Sequence, residues 1–178
     1  VDYLSRYSPN VQSIPYRIGN VIFTRVSRPL KEIVREVNVE SNNHFAEHLI
    51  RTVGRRGDSN IYSDALEEGI KQTLKYWDEI GLDTTPLLMY DGSGLAPQNA
   101  VSARFLTDLL VYMHNRSDCS TAFFQSLPKA GQEGTLQNFL RGTRLNGKVM
   151  AKSGSIGGVQ CYAGYLIDGN KRYAFAIL

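Results

Sequence analysis

Cysteine is scarce in this chain, with only Cys119 and Cys161 among 178 residues. Two thiols cannot form the framework of a disulfide-stapled domain, and they leave the redox compartment open. Histidine is limited to His44, His48 and His114. His44 and His48 share a helical face, but Phe45 stands where a zinc-peptidase helix needs Glu after its first His. Both therefore read as surface or packing residues. Proline occurs six times, without a Pro-rich tract, which argues against a low-complexity linker. No apolar run approaches the ~18 residues of a membrane-spanning helix. No leader pattern is visible either. That says little, because the chain opens on Val1, stops within the β-reading run Tyr173–Leu178, and reads as part of something longer.

An excess of one charge is also missing. Twenty Lys and Arg stand against seventeen Asp and Glu, interspersed along the chain. Without a basic cluster there is no electrostatic footprint for nucleic acid. The ten tyrosines are scattered and suit amphipathic packing better than base stacking.

What is present is globular: 42% hydrophobic, 21% charged and 16 glycines, enough for a single domain with its own core. The periodicity predicts an α+β chain, a helical part followed by an antiparallel sheet of about three strands. Pro29 opens a helix with Leu30, Ile33, Val34 and Val37 inward, breaking near 38–42. A second helix buries Phe45, Ala46, Leu49 and Val53, with Gly54 as its stop. Asp64 and Glu67 resemble a capping box for a helix carrying Leu66, Ile70, Leu74 and Trp77. Leu87–Tyr90 reads as a short strand, and Ser102 caps a helix with Phe105, Leu106, Leu109, Leu110 and Met113. The strands are a run ending at Ala151 and a hairpin of Val159–Ile167 and Arg172–Leu178 about the turn Asp168-Gly169-Asn170. Cys161 reads as a small core residue, and Val21–Thr24 as a β-like run without defensible chemistry.

The chemistry centres on Lys152-Ser153-Gly154-Ser155. A lysine offers positive charge, a hydroxyl can bind a carboxylate, and a glycine leaves the backbone bare for a peptide to lie against. Such a triplet arises by chance in roughly one chain in ten of this length, so it needs partners. Ser41-Asn42-Asn43 lies upstream, at the corner between the first two helices. Alone, Ser41 and Asn43 would be read as helix caps. Between the two stand Asp91-Gly92-Ser93-Gly94-Leu95 and Leu127-Pro128-Lys129-Ala130-Gly131-Gln132-Glu133-Gly134-Thr135-Leu136.

That ordered set, from about Pro29 to Leu178, resembles the D-alanyl-D-alanine carboxypeptidase/endopeptidase family, the low-molecular-mass class C penicillin-binding proteins of serine peptidase family S13. The resemblance implies the α/β sandwich of the β-lactamase/transpeptidase type. Residues 1–28 would return from an inserted domain, and 29–178 would be the C-terminal part of the penicillin-binding domain. It implies the catalytic residues Ser41, Asn43 and Lys152, and substrate binding by Ser153, Gly154 and Ser155. Ser41 would relay a proton to the departing D-alanine, Asn43 would hold the penultimate amide, and the Ser155 N–H would be an oxyanion donor. The partners implied are a peptidoglycan stem peptide ending in D-Ala-D-Ala and β-lactams, with no cofactor, metal or nucleic acid, in an extracytoplasmic, periplasmic setting.

The nucleophile of such enzymes is a Ser three residues before a Lys on one helical turn. The single Ser-x-x-Lys here is Ser126–Lys129. Pro128 lies inside that turn, where a proline costs about 3 kcal/mol, so the pair is rejected and the nucleophile is expected outside this chain. Two departures bear on specificity: Ala96-Pro97 stands where many family members carry Arg, and Gly157 where a polar side chain is frequent. Two other readings share the signatures: a catalytically degenerate peptidoglycan-binding or scaffolding module, and a β-lactamase. A chain of this extent is also expected to leave sheet surface uncovered, inviting a partner fragment or self-association.

Overall fold

The computed structural model describes residues 24, 26–57 and 62–178. Val21–Phe23 of the Val21–Thr24 run and most of the proposed return segment lie outside them. The described elements are α1 (Leu30–Glu40), α2 (Asn43–Gly57), α3 (Ala65–Glu79), α4 (Ala103–Asn115), α5 (Ser120–Ser126), a 3₁₀ turn (Gly134–Leu136), β1 (Val149–Ile156), β2 (Val159–Asp168) and β3 (Lys171–Ile177). The three strands form one antiparallel sheet in the order β1-β2-β3. This is the α+β architecture the periodicity predicts.

Pro29 stands at the N-cap of α1 rather than inside it, and its carbonyl accepts from the Glu32 N–H. Leu30 is 62% exposed, so the inward stripe is shorter than predicted, and Val39 in the last turn is the buried anchor. The helix ends at Ser41, a left-handed residue with φ 55°. Asn42 then caps α2 by accepting the Phe45 N–H at 3.1 Å.

Gly54 is not a helix stop. The helix α2 continues to Gly57, and Gly54 faces α3 while Val53 is 40% exposed. A Cβ on Gly54 would fall 2.1 Å from the Ala65 carbonyl oxygen, and one on Gly69 would fall 2.1 Å from that of Ile50. The two glycines let the α2 and α3 backbones touch. Asp64 caps α3 through the Leu66 N–H at 2.8 Å, and Trp77 meets Phe105 of α4 edge-on at 5.3 Å.

Leu87–Tyr90 is not a strand. Only Leu88 pairs, with Ala100, and that bridge closes a loop organised by two carboxylates. Asp91 accepts the N–H groups of Gly94 at 2.7 Å and Ala96 at 2.6 Å, and the Asn99 amide at 2.8 Å. Glu47 of α2 accepts the N–H groups of Gly92 and Ser93, both at 3.0 Å. A Cβ on Gly92 would meet the Ala46 carbonyl oxygen at 2.7 Å, so the loop lies directly on α2. Ser93 is thereby a turn residue, as its flanking glycines suggest. Partial burial by itself would raise the Asp91 carboxyl, yet the hydrogen bonds from Asn99, Ala96 and Gly94 outweigh it and hold the group below the usual carboxylate range.

The sheet sorts its residues by period two. Met150 and Tyr165 face α4 and α5, packing with Leu110, Leu127, Phe123 and Phe124. Val149 and Ala151 face the opposite way, against Ala130, Leu136 and Phe139, where Phe139 stacks on Tyr162 at 4.2 Å. Tyr165 donates to the Leu110 carbonyl at 2.7 Å, joining sheet to α4. Lys152–Ser155 lies within β1, paired to β2 from Lys152↔Ala163 to Ser155↔Gln160, rather than after it. The β2–β3 turn has two residues, Gly169-Asn170, one fewer than predicted, with Gly169 at φ 56°. At the far edge, β3 leaves Tyr173 and Ile177 exposed.

Two consequences are measurable. Gly54→Ala forces the α2–α3 backbones apart and is expected to cost about 1–3 kcal/mol, as overpacking does, read as a lowered urea midpoint. Because the folded-state pKa of Asp91 is depressed, its contribution to stability is present above the unfolded value and is lost as pH falls through the folded one. Asp91→Asn is expected to be less stable than the parent at neutral pH, with the two denaturation curves converging in acid.

Candidate functional site

A groove of about 630 Å³ runs between the helices and β1. Its walls are the α1–α2 corner, the Asp91–Leu95 loop and the stretch Lys152–Ile156 of β1. Ser41, Asn43, Lys152, Ser153, Gly154 and Ser155 all line it.

Lys152 and Ser41 meet across 111 positions of sequence. The Lys152 ammonium donates to Ser41 Oγ at 2.9 Å and also to the carbonyl of Ser153. Strand alternation puts Lys152 on the face of Met150, toward the helices. Ser41 is presented by its left-handed backbone, a conformation that costs a non-glycine residue about 1–2 kcal/mol and that concentrates at functional positions. Burial pushes the Lys152 ammonium below the ordinary lysine range. Among the described residues no carboxylate pairs with it. A half-buried ammonium held by neutral oxygens at a groove wall is suited to an incoming anion.

Asn43, the first residue of α2, is exposed at the groove lip. Capping falls to Asn42, whose side chain also donates to Glu36 at 3.3 Å. Ser153 turns to the other face of the strand and donates to Thr135 Oγ1 at 2.9 Å. Over Gly154 the chain leaves open space: an added Cβ would meet only the Cys161 Cβ, at 3.8 Å.

The free edge of β1 follows from its neighbours. Ala151 N–H donates to the Pro128 carbonyl at 3.2 Å, and Ala130 N–H to the Val149 carbonyl at 2.9 Å. Residues 149 and 151 therefore direct their backbone groups to the outer edge, and alternation directs those of Ser153 and Ser155 the same way. Beyond Ala151 that edge opens into the groove.

Ser126 is only 1% exposed; it accepts from Asn38 at 2.7 Å and donates to the Phe123 carbonyl at 2.6 Å. It is a packing hydroxyl, as the proline beside it suggests. His44 and His48 are exposed on α2. Cys161 is half-buried, pairs opposite Gly154 and lines the groove, so it is not a core residue. Sequence reasoning also missed Thr135 and Glu47. Thr135 stands inside a quoted motif, but nothing in its spacing shows that it touches Ser153.

Residues 11–178 match the D-Ala-D-Ala carboxypeptidase 3 (S13) family. The D-alanyl-D-alanine carboxypeptidase of Actinomadura sp. (strain R39) is 34% identical over 165 residues, covering 90% of this chain and 30% of that protein. A carboxypeptidase of Mycolicibacterium smegmatis is 29% identical, covering 91% of this chain and 36% of its own length. Penicillin binding protein 4 of Haemophilus influenzae, solved with a β-lactam, superposes with a TM-score of 0.77 at 26% identity, over 84% of this chain and 35% of that one. The chain thus spans about a third of the length of these relatives. With the family match running from residue 11 to the last residue, and the fold and groove agreeing, the chain belongs to the S13 family of D-Ala-D-Ala carboxypeptidases.

Proposed function

We propose that this chain forms two walls of the acyl-transfer cleft of a serine-type D-Ala-D-Ala carboxypeptidase/endopeptidase that acts on peptidoglycan outside the cytoplasmic membrane, in the periplasm, and is acylated by β-lactams. The observation that carries the reading is the 2.9 Å contact between the Lys152 ammonium and Ser41 Oγ. Residues 29–178 are the C-terminal part of the catalytic domain, and 1–28 lead into it. The attacking serine and its lysine come from a segment outside these residues. That segment seats against the apolar part of the groove, formed by Val37, Ala46, Phe105 and Leu109, and brings its hydroxyl to the mouth beside Ser41.

Each residue then has a task. The stem peptide lies along the open edge of β1, hydrogen-bonded to backbone groups and close over Gly154. Its terminal carboxylate sits at the Ser153 hydroxyl within the field of Lys152. The outer serine gives its proton to the lysine of its own segment as it attacks the penultimate carbonyl, and that proton is passed on to Ser41. The oxyanion accepts the Ser155 N–H, a donor whose loss costs ~3 kcal/mol in comparable sites. Ser41 passes a proton to the leaving D-alanine nitrogen as the C–N bond breaks, with Lys152 holding its hydroxyl in line. Asn43 holds the amide of the penultimate residue and touches the nucleophile's lysine. Water then cleaves the acyl-enzyme. The exposed strand β3 is covered by the remainder of the protein or by a second copy.

The test is covalent labelling by penicillin. The full-length protein is expected to be acylated and the 178-residue chain alone not. Ser41→Ala in the full-length protein is expected to slow acylation ~10²–10⁴-fold, the usual contribution of a positioned proton-transfer group. A folded full-length protein that never acylates, or a Ser41→Ala variant that acylates at the parent rate, sinks the proposal.

A further inference from the structure

Thr135 was given no role by its sequence, yet its hydroxyl lies 2.9 Å from that of Ser153. It sits on the 3₁₀ turn Gly134–Leu136, and that turn is tied to the helix that ends at Ser41. Glu133 pairs with Arg35 of α1 and also accepts the Lys129 N–H at 3.2 Å. Gly134 has φ 52°, and a Cβ there would stand 2.3 Å from the Val39 carbonyl oxygen, two residues before Ser41. Leu136 is fully buried beneath Ala151 and Val149. The turn cannot shift without moving both α1 and β1. Thr135 itself is exposed at its tip, where no packing demand explains a hydroxyl.

We propose that Thr135 is a positioning residue for carboxylate capture, forming with Ser153 a two-hydroxyl relay aimed at the groove. This rests on the proposed acyl-transfer reading. The Ser153 hydroxyl donates to Thr135. A hydroxyl both donates and accepts, and its hydrogen rotates to suit. When a carboxylate reaches Ser153, the Ser153 hydrogen turns to the anion, and the Thr135 hydroxyl reverses to donate to Ser153 Oγ. Ser153 then has two partners, the anion and Thr135, and the chained hydrogen bonds strengthen one another. No bond to Thr135 is made or broken other than hydrogen bonds, and it does not touch the scissile group.

The experiment compares acylation of the full-length protein by penicillin and by its neutral methyl ester, which lacks the carboxylate. Thr135→Val keeps the shape and removes the hydroxyl; Thr135→Ser keeps the hydroxyl. For Thr135→Val the penicillin acylation rate is expected to fall about 10-fold, the ester rate to stay within twofold of the parent, and Thr135→Ser to recover the penicillin rate. Equal losses for both probes would mean that Thr135 only supports the fold, and no loss for penicillin would mean that it is idle; either result overturns the relay. A parent protein acylated by neither probe would instead defeat the acyl-transfer reading, so the two failures are distinguishable.

Discussion

The contact between Lys152 and Ser41 is a constraint that the rest of the molecule satisfies. An ammonium-to-hydroxyl hydrogen bond contributes roughly 1.5–3 kcal/mol, and taking the ammonium partly out of water offsets much of that. Burial indeed favours the neutral amine, since it lowers the pKa of Lys152. The bond therefore does not hold the two halves together. Other interactions hold them, and the bond is what they leave in place.

Those interactions converge on α1. Arg35 donates to the Gln125 carbonyl at 2.7 Å and pairs with Glu133. Asn38 donates to the buried Ser126 hydroxyl, and Val39 packs its backbone against Gly134. The segment so gripped, 125–136, lies alongside the first half of β1 through Pro128 and Ala130. A chain of short-range contacts thus runs from the helix bearing Ser41 to the strand bearing Lys152. Exposed ion pairs such as Arg35–Glu133 contribute little singly, of order 0–1 kcal/mol, whereas the glycine contact and the buried Leu136 set the spacing. Rigidity at this site is built from packing, with the charged groups fixing register.

How much of this was legible follows from what each signal encodes. Period-two alternation placed the strands, because one sheet face packs on Leu110 and Phe124 and the other on Leu136 and Phe139. The motif residues themselves were legible by type, since lysine, serine and glycine near one another suit few tasks. Three things were not. Gly54 looked like a stop because a glycine at a helix end and a glycine at a helix crossing are the same letter; only the presence of Gly69 opposite decides. Leu87–Tyr90 looked like a strand because its apolar run is strand-like, but only Leu88 finds a strand-like partner, and the Asn99 side chain takes the Tyr90 N–H at 2.8 Å. Cys161 looked like core because small apolar residues usually are, while its neighbour across the ladder, Gly154, leaves that position facing open space. In each case the missing information was which residue the fold sets opposite, which spacing along the chain does not show.

The strand β1 joins two functions that are usually separate. Its first residues, Val149 to Ala151, are buried and paired on both sides, to β2 and to the 128–130 segment. Its later residues keep the β2 pairing but lose the outer partner, so Ser153 and Ser155 offer backbone groups to the groove in the same geometry that Val149 and Ala151 offer to protein. The core half fixes direction and height of the strand, and the open half carries the same order on to the groove, where the proposed function would use it for an extended ligand. An unpaired edge would ordinarily invite another chain. Here Lys152 charges the edge, and the left-handed Gly157 and Gly158, at φ 53° and 88°, turn the chain into β2 immediately after Ile156. The edge is therefore short, and under the proposed function it would take an extended backbone of a few residues that ends in a negative charge.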